Sequence, residues 1–214
     1  ALRGLSTDGV AALTTEQVAQ LTSAQVSALS TAQIRAMETE DLAALGTAQV
    51  SVFNSAQVAA LTTEQIQAIE TVDLRVLSTA ALRGLSTDGV AALTTDQASK
   101  LSSAQVASLS TSQVRAIETE DLATLGTASI RALSSAQIRA LTTDQIVAFK
   151  PSQIVSIPTQ STAALTTEQI AAFTNVQVPY LTNSQMGSLT SDQVAAITTD
   201  QIPQLKAAQL AAIS

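Results

Sequence analysis

The chain has 214 residues, of which 46% are apolar, 2% aromatic and 13% charged, and its net charge is −7. It contains neither Cys nor His, which removes disulfides, thiolate or imidazole metal sites, and any nucleophile–base pair built on either residue. The negative balance, with no basic run, argues against nucleic acid as a partner. No apolar stretch approaches the roughly 20 residues that cross a bilayer, so membrane insertion is not expected.

From Leu5 to Ile213, every eighth residue is Leu, Ile, Met or Phe. Three residues before each of these sits a second apolar residue, usually Val or Ile, and only Thr162 breaks that row. A period this strict marks a repeat architecture. Numbering positions by residue number modulo eight places the first row at position 5 and the second at position 2. A strand cannot use this pattern, because residues three apart point to opposite faces of a sheet. One continuous helix fails as well, since its apolar stripe would drift by roughly 80° per octad. A short helix in every octad puts both rows on one face, as i and i+3.

The polar rows agree. Positions 6 and 7 are mostly Ser or Thr and position 1 is mostly Gln, as in Thr14–Gln17 and Thr62–Gln65. That spacing is a capping box, with positions 5 and 2 as the hydrophobic staple around it. Either hydroxyl row can supply the N-cap. All seven Arg (Arg3, Arg35, Arg75, Arg83, Arg115, Arg131 and Arg139) occupy position 3, and all seventeen acids occupy positions 6, 0 or 1. Acids at each helix start and Arg nearer its end match the helix dipole.

An isolated octad buries too little to stand alone, so octads must stack on one another as in a solenoid. Position 4 is mostly Ala, which allows close approach of neighbouring helices. Acids at position 0 recur at Glu16, Glu40 and Glu64, then at Asp96, Glu120, Asp144, Glu168 and Asp192, a spacing of 24 residues within each run. This suggests three helices per coil, with four as the rival. The segments 2–15 and 82–95 are identical, an 80-residue duplication that keeps the octad but is no multiple of 24. The expected fold is thus an all-α solenoid, one short helix per octad. It spans residues 1–214 as a single array, a segment of a longer one, and is less regular from about 150 onward. Pro151, Pro158, Pro179 and Pro203 all fall in that later part, where proline near position 7 suits a helix start. The stretch 157–162 (IPTQST) is the expected kink.

Candidate sites are few. Glu38, Glu40 and Asp41, with their repeat Glu118, Glu120 and Asp121, offer hard oxygen ligands for calcium. They match no calcium-loop spacing, and the simpler reading is a solvated helix start favoured by the dipole. The Gln row could form a ladder of exposed amides for a glycan or another chain; reciprocal capping is the simpler account. The hydroxyl rows could match ice or carry glycans, yet capping explains them too. Lys150, Tyr180 and Met186 form a less regular group, read as a contact patch or as repeat drift. No octad sets a nucleophile beside a base and no Gly-rich phosphate loop occurs, so neither an enzyme nor a cofactor is expected.

The phrase L-[ST]-[ST]-x-Q-[VI]-x-A, beginning at Leu61 and Leu165 and, with Gln20 in place of the final Ala, at Leu13, resembles octad arrays of very large, repeat-rich proteins of Gram-negative bacteria. Several of these are described as secreted, adhesin-like or haem-utilisation-like. The resemblance covers the whole chain. It implies a structural scaffold or spacer at the bacterial surface or outside the cell, with neighbouring repeats or domains of the same protein as partners. The alternative is a binding module in which a face or groove takes a peptide, glycan or ion. Iron ligation would have to rest on Tyr180, Met37 and Met186.

Overall fold

The computed structural model describes residues 4–213, so Arg3 and the first residues of the duplicated segment lie outside it. Its described residues form 24 short α-helices and two 3-10 turns, Val178–Tyr180 and Ile202–Gln204, with no strand. The protein is an α-solenoid. Two compact units divide the chain, Ala1–Leu109 and Ser110–Ser214.

The octad of Thr62 shows how each helix is made. Thr62 is extended (φ −78°, ψ 167°) and caps the helix Thr63–Ala68, which ends at an extended Ile69 (φ −65°, ψ 126°). Glu70 is extended again and begins the next helix. Many corners are therefore two consecutive extended residues, at positions 5 and 6. No described residue has positive φ, so the corners need no glycine. The N-cap is position 6: the Thr62 hydroxyl accepts from the Gln65 N–H at 3.2 Å, while the Thr62 N–H donates to Gln65 Oε1 at 3.0 Å. Position 7 is the first helical residue. Leu61 and Ile66 flank the cap and are buried, forming the expected staple.

In the first unit the helix Ser55–Ala60 packs on Thr31–Ala36 and on Thr79–Leu82. In the second, Ser135–Ala140 packs on Thr111–Arg115 and on Thr159–Thr162. Each partner lies three octads away, so a coil holds three helices and the four-helix rival is excluded. The core is the stacked rows of positions 2 and 5, as in Ile34, Leu45, Ile138 and Leu141. Each fully buried aliphatic side chain contributes about 1.5–3 kcal/mol.

The later octads hold two surprises. The stretch 157–162 does not break the pattern. Pro158 takes the N-cap of the helix Thr159–Thr162, and Thr162 is buried with its hydroxyl donating to the Pro158 carbonyl at 3.3 Å. That bond satisfies the hydroxyl in an apolar row, which is why no kink is needed. Pro151 sits at the first helical position as expected. Pro179 and Pro203 instead fall at position 3, inside the two 3-10 turns. A proline there has no N–H to give, and its ring crowds the preceding turn, so the α-helix is lost locally.

Candidate functional site

A helix start leaves N–H groups unpaired and a helix end leaves carbonyls unpaired. An array of helices barely longer than one turn has this problem at every corner. The Gln row solves both halves with one side chain. Gln65 Oε1 takes the N–H of its own N-cap. Its Nε2 crosses to the preceding coil and donates to the carbonyls of Ile34 (3.1 Å), Arg35 (3.2 Å) and Met37 (2.7 Å). In the second unit Gln169 Nε2 does the same with Ile138 (3.0 Å) and Leu141 (2.8 Å). The offsets of 31 and 28 residues recur for Gln49, Gln57, Gln97, Gln105, Gln145, Gln153, Gln177, Gln185, Gln193, Gln201 and Gln209. These amides are buried or nearly so, which corrects the picture of an exposed amide ladder. Glu could accept at the cap but could not donate across the coil, and Asn is one methylene shorter; Gln is the residue that does both.

The staple survives where the helix does not. Gln177 and Gln201 lead the two proline-bearing 3-10 turns, yet their amides reach Phe149 and Phe173 at 2.9 and 2.6 Å. Only the first coil differs: Gln17 and Gln25 are exposed and form the local capping box alone.

The acidic clusters occupy three of the octads in which this device is missing. Glu38, Glu70 and Glu118 stand at the N-cap without a side-chain cap bond. Asp41, Asp73 and Asp121 stand where Gln stands elsewhere and are buried, so these three do not belong to a solvated helix start. Burial pushes the Asp41 carboxyl above its ordinary range, and the Glu38 and Glu40 carboxylates add to it. Its Oδ2 is buried with no hydrogen-bond partner. Asp73 is raised by burial and by Glu70, and the Thr47 hydroxyl opposes the shift. Glu40, by contrast, is exposed and held low by its own backbone N–H and the Thr39 hydroxyl. Glu120 is exposed in the equivalent place. Among the described residues no three acids come together as a metal-holding group.

Lys150, Tyr180 and Met186 do not form one patch. Lys150 is exposed at an N-cap, its N–H donating to Gln153 Oε1 at 2.8 Å. Tyr180 is 45% exposed, on a 3-10 turn packed against the helix Pro151–Ser156. Met186 is 1% exposed and belongs to the core, because it occupies position 2; with Phe173 and Leu181 it borders a void of only about 10 Å³. Met37 is core as well. Val155 and Val176 share Tyr180's exposure, and sequence reasoning passed over both. The one signal was their type: branched apolar residues off positions 2 and 5. A polar groove of about 350 Å³ lies elsewhere in this unit, between Arg139, Thr166, Glu168, Asp192 and Gln193. No described helix is long and apolar enough to cross a membrane.

A comparison with curated proteins finds no match. The ALTTAQ repeat pattern, by contrast, matches residues 1–23, 34–69, 66–103 and 114–151. These segments carry the hydroxyl caps and most of the Gln staples of the first two-thirds of the chain. With well over half of its length covered, the chain belongs to the ALTTAQ repeat family.

Proposed function

We propose that the chain is a non-enzymatic scaffold that sets distance within a large bacterial surface or secreted protein. The observation that carries this reading is where the polar side chains go. The buried Gln amides close coil against coil, and the position-6 hydroxyls close helix starts. Octads that carry Gln at position 1 offer the same donors and acceptors as one another, so length can change without redesign of most contacts. The surface location rests on the resemblance to octad arrays of secreted bacterial proteins. Its partners would be the flanking repeats or domains of that protein.

Deletion of residues 63–86, one full coil within the first unit, tests the reading. The variant should keep its helical circular dichroism per residue and its cooperative melt, and lose about 8–10 Å of stacked length in solution scattering. Loss of folding, or an unchanged maximum dimension, would refute it.

A second reading, a binding module, draws on the groove beside Arg139 and on exposed Val155, Val176 and Tyr180. A glycan and peptide array probed with the intact chain checks it. Binding lost on Tyr180→Ala but kept on Val72→Ala, an exposed valine of the first unit, would favour it.

A further inference from the structure

Each buried Gln amide sits in a seat made of backbone. Gln65 Nε2 lies 3.1, 3.2 and 2.7 Å from the carbonyl oxygens of Ile34, Arg35 and Met37, and Gln49 Nε2 lies 3.1, 3.3 and 2.7 Å from those of Val18, Ala19 and Leu21. Three oxygens of one coil converge on the positive end of an amide from the next. The helices Thr39–Ala43 and Thr71–Leu74 stack three octads back as the others do, yet carry Asp41 and Asp73 in place of Gln. By the same offsets Asp41 faces the carbonyls of Val10, Ala11 and Leu13, and Asp73 those of Leu42, Ala43 and Leu45. Both Asp residues are buried between coils, at 3% and 4% exposure, and Asp41 Oδ2 has no hydrogen-bond partner. The Thr47 hydroxyl relieves part of the Asp73 carboxylate. No described group donates to the Leu13 or Leu45 carbonyl. Acceptors thus face acceptors, around a buried negative charge that is costly unless paired. Glu38 and Glu40 add to the negative field at Asp41, and Glu70 adds to it at Asp73.

We infer that the Asp41 and Asp73 octads each hold a monovalent cation of potassium size, set between the carboxylate and the helix-end carbonyls of the preceding coil. Asp is one methylene shorter than Gln, which leaves the ion its place. Water bridges such oxygens but leaves the charge uncompensated. One carboxylate balances one positive charge. The seat is shaped for a centre 2.7–3.2 Å from its oxygens, as Gln65 shows. Calcium takes oxygens at about 2.3–2.6 Å and magnesium at about 2.0–2.1 Å, so both are too small for it. Potassium exchanges its hydration shell for backbone carbonyls in just such rings.

Urea unfolding of the intact chain tests this, with potassium chloride replacing choline chloride at fixed ionic strength. Choline is too large for the seat. At potassium ten times its Kd, the unfolding equilibrium constant should fall by about tenfold per site relative to choline alone. Asp41→Gln with Asp73→Gln puts an amide nitrogen in each seat; this variant should stay folded by circular dichroism and lose the potassium response. Asp88→Asn, at an exposed acid of the same unit, should keep it. Equal stability in potassium and choline, a response retained by the folded double variant, or a response to calcium but to no monovalent ion would overturn the inference.

Discussion

Residues 2–15 and 82–95 have the same sequence but different surroundings. From Ser6 and from Ser86 onward their local structure is the same. Helices Thr7–Ala11 and Thr87–Ala91 have matching bounds, and Ser6 and Ser86 cap them by accepting from Gly9 and Gly89 at 3.1 and 2.9 Å. Burial is not the same. Leu5 is 37% exposed, whereas Leu85 is 5% exposed. A methyl group added at Gly4 would meet nothing within 4 Å, but at Gly84 it would run into the Ser55 carbonyl oxygen. The octad thus writes its own helix wherever it stands, and the neighbouring coil alone decides what that helix contributes to stability.

The sharpest way to break this comparison is to truncate the paired leucines. Leu85→Ala should cost about 2–5 kcal/mol and Leu5→Ala well under half of that, measured by urea unfolding. Equal costs would mean that the first coil is packed as tightly as the interior. The amides come next. Gln57→Leu strips the Val26 and Leu29 carbonyls of their donor in the core, at an expected cost of about 2–4 kcal/mol. Gln17→Leu loses only a cap bond, worth about 1 kcal/mol. Gly84→Ala should cost about 1–3 kcal/mol through overpacking against backbone, with Gly4→Ala within about 0.5 kcal/mol of neutral.

Asp41→Gln runs the comparison in reverse, installing a staple where the interior lacks one. It should stabilise by about 1–2 kcal/mol at neutral pH, by removing an orphaned carboxylate oxygen and adding an amide donor that, by the 31- and 28-residue offsets of the other Gln side chains, would face the Val10 and Leu13 carbonyls. The pH dependence has a definite sign. The folded-state pKa of Asp41 is raised, so the native chain holds its proton in a window where the unfolded chain has lost it. Stability from this site therefore falls as pH rises from the ordinary carboxylate range through the raised value. The advantage of the Gln variant should be largest at neutral pH and shrink in acid; an advantage that is flat with pH would count against the burial argument. The smallest effect belongs to Gly126→Ser, which adds a cap oxygen in open space at an N-cap that lacks one and should gain a few tenths of a kcal/mol.

Much of this was legible in the residues. Two apolar rows three apart gave one helix per octad, and the recurring acids pointed to three helices per coil. The choice between positions 6 and 7 for the cap was not legible, because both rows carry hydroxyls and differ only in backbone angle. The second task of Gln was hidden for a different reason: its partners lie 28 and 31 residues back, a distance that has meaning only once the coil size is known. Asp41 was misread as solvated because its acidic neighbours Glu38 and Glu40 are exposed, while its place in the octad is that of a buried amide. Met186 looked atypical by type, yet its position put it in the core. Proline near position 7 suits a helix start, as at Pro151, but Pro179 and Pro203 lie at position 3, past the first turn, and stand inside 3-10 turns.

Interchangeable rungs have a kinetic consequence. If each Gln finds an equally good pair of carbonyls under any octad, a growing array can close one step out of register at little energetic cost. The features that tell one rung from another are few: the tight seat of Gly84 on Ser55, the Thr47 hydroxyl on Asp73, and Ser135 against Ser161 at 3.2 Å. These irregular contacts act as alignment marks, so erasing them in favour of the consensus would yield a chain that is more uniform and more prone to misthreading as it folds.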